Sequence, residues 1–191
     1  MKRLFMLLSV IAFCNSANSQ ITNDYPFKTF LDSANNLYVC GNGLNNETNN
    51  MNILLEKYTI DGVNIIYKFY TNPFGNDRGM DIAVDVHGNA FITGFIYNNI
   101  TQSNDIIVLK FNSSGTLSWS KTYNNPGDDK GYGIDITIAQ NGNADAIYIT
   151  GYSNVNGQKE VFVSKLDNIG KILWQRDTAI SGKYDIATDI F

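Results

Sequence analysis

The chain repeats itself about every 53 residues, and this periodicity constrains its fold more than any other feature. Tyr38-Val39-Cys40-Gly41 returns as Phe91-Ile92-Thr93-Gly94 and again as Tyr148-Ile149-Thr150-Gly151. Lys57, Lys110 and Lys165 recur in step, as do Gly62, Gly115 and Gly170. Each of these glycines is followed by an aromatic residue: Tyr67, Trp119 and Trp174. A unit this short buries its apolar surface only by stacking on its neighbours. A period of about 40–55 residues, filled with short strands, predicts β-propeller blades.

The second copy reads most clearly. Asp81 to Asp85 is a short β pattern, and Val86-His87-Gly88-Asn89 is a turn signal. Ala90 to Ile96 is a second strand, and Tyr97 to Asn104 a polar loop. Asp105 to Asn112 is a third strand, and Ser113-Ser114-Gly115 turns the chain. Thr116 to Tyr123 is a fourth, carrying Trp119. Four strands joined by Gly/Asn turns make one antiparallel meander. No stretch of useful length has the helical period. The first copy spans about 24–76, the second 77–128 and the third 129–182; a fourth opens over 183–191. The third copy carries three extra residues around Ala144-Asp145-Ala146, which should lengthen one hairpin. The expected class is therefore all-β: three four-stranded antiparallel blades plus the first strand of a fourth. A propeller ring closes with about 4–8 blades. Three blades predict either the N-terminal part of a longer protein or a ring completed by self-association.

Residues 1–19 read as an export signal. Lys2 and Arg3 form the basic start, Leu4 to Phe13 the apolar run, and Ala17-Asn18-Ser19 a small-x-small site before Gln20. The run is shorter than the roughly 20 residues of a membrane span. A lipoprotein anchor at Cys14 is the alternative, although Phe13 stands where a lipobox needs a small residue. No later stretch is long and apolar enough to span a membrane. Removing the leader deletes Lys2 and Arg3 and moves the net charge from -4 to -6. That balance argues against nucleic acid as a partner, since phosphate binding relies on Lys and Arg. Cys40, the one cysteine left, occupies the slot of Thr93 and Thr150. It is expected to be a small buried strand residue; a reactive thiol is the other reading.

The repeat resembles the SBBP-type β-propeller repeat of bacterial secreted and surface proteins. Ile82 to Asp85, Gly88-Asn89 and Phe91 to Gly94 carry the resemblance, followed by the strand Lys, the Gly turn and the Trp. Ala139 stands for the Asp in the third copy, and Asn35 for the Gly in the first. The resemblance implies a binding or display scaffold on the cell surface or outside the cell, with no known reaction.

Candidate chemistry is sparse. Asp77, Asp81, Asp85, Asp128, Asp129, Asp135, Asp185 and Asp189 gather at blade starts and connectors. Carboxylates suit Ca²⁺, but no stretch has the alternating spacing of a calcium loop. Asp81, Asp135 and Asp185 are read as one recurring structural position. They would satisfy turn amides or pair with Lys57, Lys110 and Lys165. No metal, cofactor or catalytic residue is assigned. The segment from Lys165 to Trp174 resembles the tryptophan-docking motif of quinoprotein-type propellers, which implies blade docking rather than a quinone. Trp119 sits in a poorer version with Asn112 for the Asp, and Tyr67 replaces the Trp. As a docking residue, Trp174 should cost about 3–5 kcal/mol on truncation to Ala in the intact protein. The Asn112–Gly115 and Asp167–Gly170 hairpins also resemble the Asp-box of sialidases, but with one residue too many. The lone His87 lies in a turn, and no Gly-x-Ser-x-Gly elbow is present.

The variable loops Asn42–Asn52, Tyr97–Asn104 and Ser153–Lys159 are the expected contacts for a protein or glycan ligand. The rival is an enzyme whose active site lies in further blades or a further domain. Asp32-Ser33-Ala34 and Asp177-Thr178-Ala179 resemble an O-glycosylation acceptor of Bacteroidetes-type bacteria. Asn46, Asn99 and Asn112 begin Asn-x-Ser/Thr triplets.

Overall fold

A computed structural model of the chain describes residues 24–46, 49–124, 126–178 and 185–190. The expected leader over 1–19, with Cys14, lies outside these residues, as do Gly182 and Lys183. All regular structure among the described residues is strand. The first sheet contains β1 (Tyr25–Leu31), β2 (Leu37–Asn45), β3 (Asn50–Tyr58) and β4 (Asn64–Tyr70). The second contains β5 (Arg78–Val84), β6 (Ala90–Asn98), β7 (Ser103–Phe111) and β8 (Leu117–Tyr123). The third contains β9 (Lys130–Ile138), β10 (Ala144–Val155), β11 (Gln158–Asp167) and β12 (Ile172–Thr178). Within each sheet the strands lie in chain order and every neighbouring pair is antiparallel.

Two sets of recurring glycines have separate causes. Gly62, Gly115 and Gly170 close the third hairpin of each sheet at φ +80°, +78° and +80°, a region that L side chains avoid. Gly41, Gly94 and Gly151 answer a close approach instead. A Cβ there would lie 2.1, 1.9 and 2.0 Å from the carbonyl oxygens of Tyr25, Arg78 and Lys130. These carbonyls flank bulges in the pairing of the first two strands. Asn35 takes the turn position of Gly88 at φ 62°, a conformation asparagine tolerates. Asp32 and Asp85 close these turns with their carboxylates, each accepting two backbone N–H groups. Ala139 cannot, and Asn141 Oδ1 accepts from Asn143 N instead. The extra residues of the third copy extend both β9 and β10 and bulge at Asp145, while the turn itself keeps its pattern.

The sheets stack face to face in sequence order. β5 lies against β1, β2 and β3, and β9 lies against β5, β6 and β7. One core, between the first and second sheets, includes Tyr38, Cys40, Leu55, Ile92, Ile107 and Leu109. The other, between the second and third, includes Phe91, Ile106, Val108, Ile147, Ile149 and Phe162. Alternation therefore sends Ile106 and Val108 one way and Ile107 and Leu109 the other. This explains the unbroken apolar run in β7: the middle sheet is covered on both faces. Each such side chain contributes about 1.5–3 kcal/mol relative to exposure.

Candidate functional site

The inter-sheet contact is built from three repeated parts. Lys57, Lys110 and Lys165 do not pair with aspartates as expected. Their Nζ atoms sit over the rings of Tyr38, Phe91 and Tyr148, 4.6, 5.1 and 5.2 Å from the centroids. Each Lys stands directly opposite its aromatic partner on the neighbouring strand, so register alone brings them together. Trp119 stands opposite Lys110 on β8 and meets Phe91 edge-on at 6.4 Å. Its Nε1 donates to the Asn168 carbonyl of the third sheet at 3.2 Å, and its ring closes over Gly170. Trp174 repeats the stack on Tyr148 at 6.4 Å, but 40% of it is exposed.

Tyr67 is not the third member of this set. It pairs with Glu56 and lies on the opposite face; Ile66 stands opposite Lys57. Ile66 is buried, and its methyl carbon lies 2.7 Å from where a Gly115 Cβ would stand. Ile66, Trp119 and Trp174 are therefore the equivalent residues. Counting four residues on from Gly62, Gly115 and Gly170 identifies them.

The aspartates also separate. Asp81 stands opposite Thr93, and Asp135 opposite Tyr148, whereas the residue opposite Thr150 is Gly133. Asp81 and Asp135 are thus two residues out of step. Their partners are strand amides rather than turns. Asp81 Oδ1 accepts from Ile82 N and Oδ2 from Ile134 N of the next sheet, both at 2.8 Å. Asp135 accepts from Ile136 N. Lys28 of β1 lies 3.7 Å from Asp81 and 3.5 Å from Asp189. Burial raises the Asp81 pKa, against the pull of these amides and of Lys28.

A different carboxylate series joins the sheets. Asp77 N donates to Met51 O, Asp129 N to Asn104 O and Asp185 N to Lys159 O. Asp77 Oδ1 then accepts from Tyr97 N, and Asp129 Oδ1 from Asn154 N. Each of these two residues ties the third strand of one sheet to the second strand of the next. Asp185 belongs to this series rather than with Asp81. The signal was available: Asp77 and Asp129 each precede a connector glycine, Gly79 and Gly131, by two residues. Burial pushes the Asp77 carboxyl up to about 7, against the hydrogen bonds from Tyr97 and Asn72.

His87 is exposed; its Nε2 lies 2.8 Å from Asn141 O, linking neighbouring turns. Cys40 is free and fully buried, and burial raises its thiol well above the ordinary range. A nucleophilic thiolate is disfavoured there. Among the described residues, no three His, Cys, Asp or Glu side chains are grouped to hold a metal ion. No described helix is long and apolar enough to cross a membrane. Ser33 sits exposed in the β1–β2 turn. Asp177 is held by Ser153 Oγ and Gln175 Nε2.

The variable loops are shorter than the sequence reading assigned. Strands consume most of each: the second and third keep turns at 99–102 and 156–157, and in the first β2 runs to Asn45 and β3 starts at Asn50. Asn49, Gln102 and Asn156 have φ between 53° and 56°, as tight hairpins require. No protein-family model matches the chain, and no curated protein matches it.

Proposed function

We propose that the chain is a β-propeller segment of the SBBP-repeat type, exported through residues 1–19 and acting as a binding or structural scaffold at the cell surface or outside the cell. The observation that carries this reading is the succession of equivalent faces. Tyr38 and Lys57 meet the second sheet as Phe91, Lys110 and Trp119 meet the third. Tyr148, Lys165 and Trp174 present the same set outward. Repetition of one docking set favours a scaffold, because catalysis needs an asymmetric cluster of polar groups. The ligand is a protein or glycan met at the sheet edges or between sheets.

The test is a glycan and protein array probed with the chain, followed by product analysis of each retained ligand. Retention without turnover is expected. Turnover, or an array on which nothing is retained, overturns the reading.

A further inference from the structure

We propose that the cleft between the second and third sheets binds one neutral sugar ring, a reading that rests on the scaffold role above. The cleft has a volume of about 260 Å³, and its lining includes Ile106, Tyr123, Asp129, Ser153, Phe162 and Gln175. Ligand pockets for drug-sized molecules run to about 300–1,000 Å³, so a single ring is the size that fits.

The cleft departs from the repeat. Ser153 occupies the register position of Ile96, which packs on the core between the first and second sheets. Ser164 likewise replaces Leu109, and Gln175 replaces Ser120. Two branched apolar side chains are lost from the facing surface, and hydroxyl and amide groups line the space. These groups are pre-positioned. Ser153 is 1% exposed, and its Oγ donates to Asp177. Gln175 Nε2 donates to Asp177 Oδ2 at 3.0 Å, which sets the plane of its amide. Ser164 is fully buried outside the lining, its Oγ donating to Trp174 O at 3.0 Å. Ile106, Tyr123, Phe162 and Ile172 supply the apolar part of the lining, and of these Ile172 is 37% exposed.

A pyranose presents an apolar C–H face and a belt of hydroxyls, which matches the apolar part of this lining and its fixed polar groups. The carboxylates of Asp129, in the lining, and Asp177, behind it, disfavour an anionic sugar by like-charge repulsion.

Saturation-transfer NMR of the full chain with D-glucose, D-galactose, D-mannose, N-acetyl-D-glucosamine and D-glucuronate tests this. Transfer is expected from at least one neutral sugar and not from glucuronate. Ser153→Ile, which installs the residue of the first interface, should weaken binding at least about tenfold. Gln175→Ser, which installs the residue of the second sheet, should weaken it in the same direction if the isoleucine variant does not fold. No transfer from any neutral sugar, or binding unchanged in these variants, overturns the cleft. Array retention that survives both substitutions overturns the cleft and leaves the scaffold role standing. Turnover of a retained sugar overturns the scaffold role and leaves the cleft standing.

Discussion

Asp77 shows how one buried carboxylate makes the fold sensitive to pH. Its folded pKa, pushed up to about 7, lies above the unfolded value of about 3.9. Between those two values the folded chain holds more protons than the unfolded one. The contribution of Asp77 is therefore fully present below about pH 4 and is lost as pH rises through about 7. The slope reaches at most about 1.4 kcal/mol per pH unit. Asp77→Asn removes the titration, so denaturant midpoints should vary less across that range than in the parent. An unchanged profile would mean that Asp77 stays ionised throughout. Glycines give a second residue-scale contrast. Gly94→Ala would place a methyl 1.9 Å from the Arg78 carbonyl oxygen, with only backbone atoms of Arg78 and Gly79 as its nearest neighbours. A loss of about 2–3 kcal/mol is expected. Gly157 has open space and φ +81°, so Gly157→Ala should cost only about 1 kcal/mol. Chemical denaturation of the two variants checks the order.

At the scale of elements, two chemically identical side chains have different worth. Trp119 is half-buried and bonded to the third sheet; Trp174 is 40% exposed, with no sheet beyond it among the described residues. Trp119→Ala should cost about 3–5 kcal/mol. In this chain Trp174→Ala should cost clearly less, because it leaves a smaller unfilled volume. A cost of about 3–5 kcal/mol at Trp174 applies only where a further sheet covers it. These are the only two tryptophans, so fluorescence of each single variant reports its partner. Trp119 emission should be bluer than Trp174 emission, and equal spectra would deny the difference in burial. The strands themselves were legible because alternation and turn residues act locally. The Asp81 and Ile66 equivalences were not. A Tyr at position 67 and the Asp-Ile pairs at 135 and 185 attract alignment by chemical type. Pairing register decides instead, and a slip of one residue moves a side chain to the other face.

For the whole molecule, the outer face of the third sheet is the main liability. Val161, Val163, Lys165 and Tyr148 are half-buried there. Of their counterparts in the second sheet, Ile106, Val108 and Phe91 are fully or nearly covered by the third, while Lys110 is half-buried like Lys165. Contiguous exposed apolar surface favours association. Sedimentation of the chain should show concentration-dependent association, and Val163→Lys should reduce it. A monomer at every concentration would show that this face is satisfied without a partner.

By itself, the sequence determined the repeat, the four strands per copy, the positions of the turns and the recurring glycines. All of these follow from short-range rules of pleat and turn. Only the tertiary structure decided the pairing of lysine with aromatic rings, the aspartate clamps and the polar cleft beside Ser153. Those depend on which residues face each other across two sheets, and that is set by bulges and register between strands far apart in the chain.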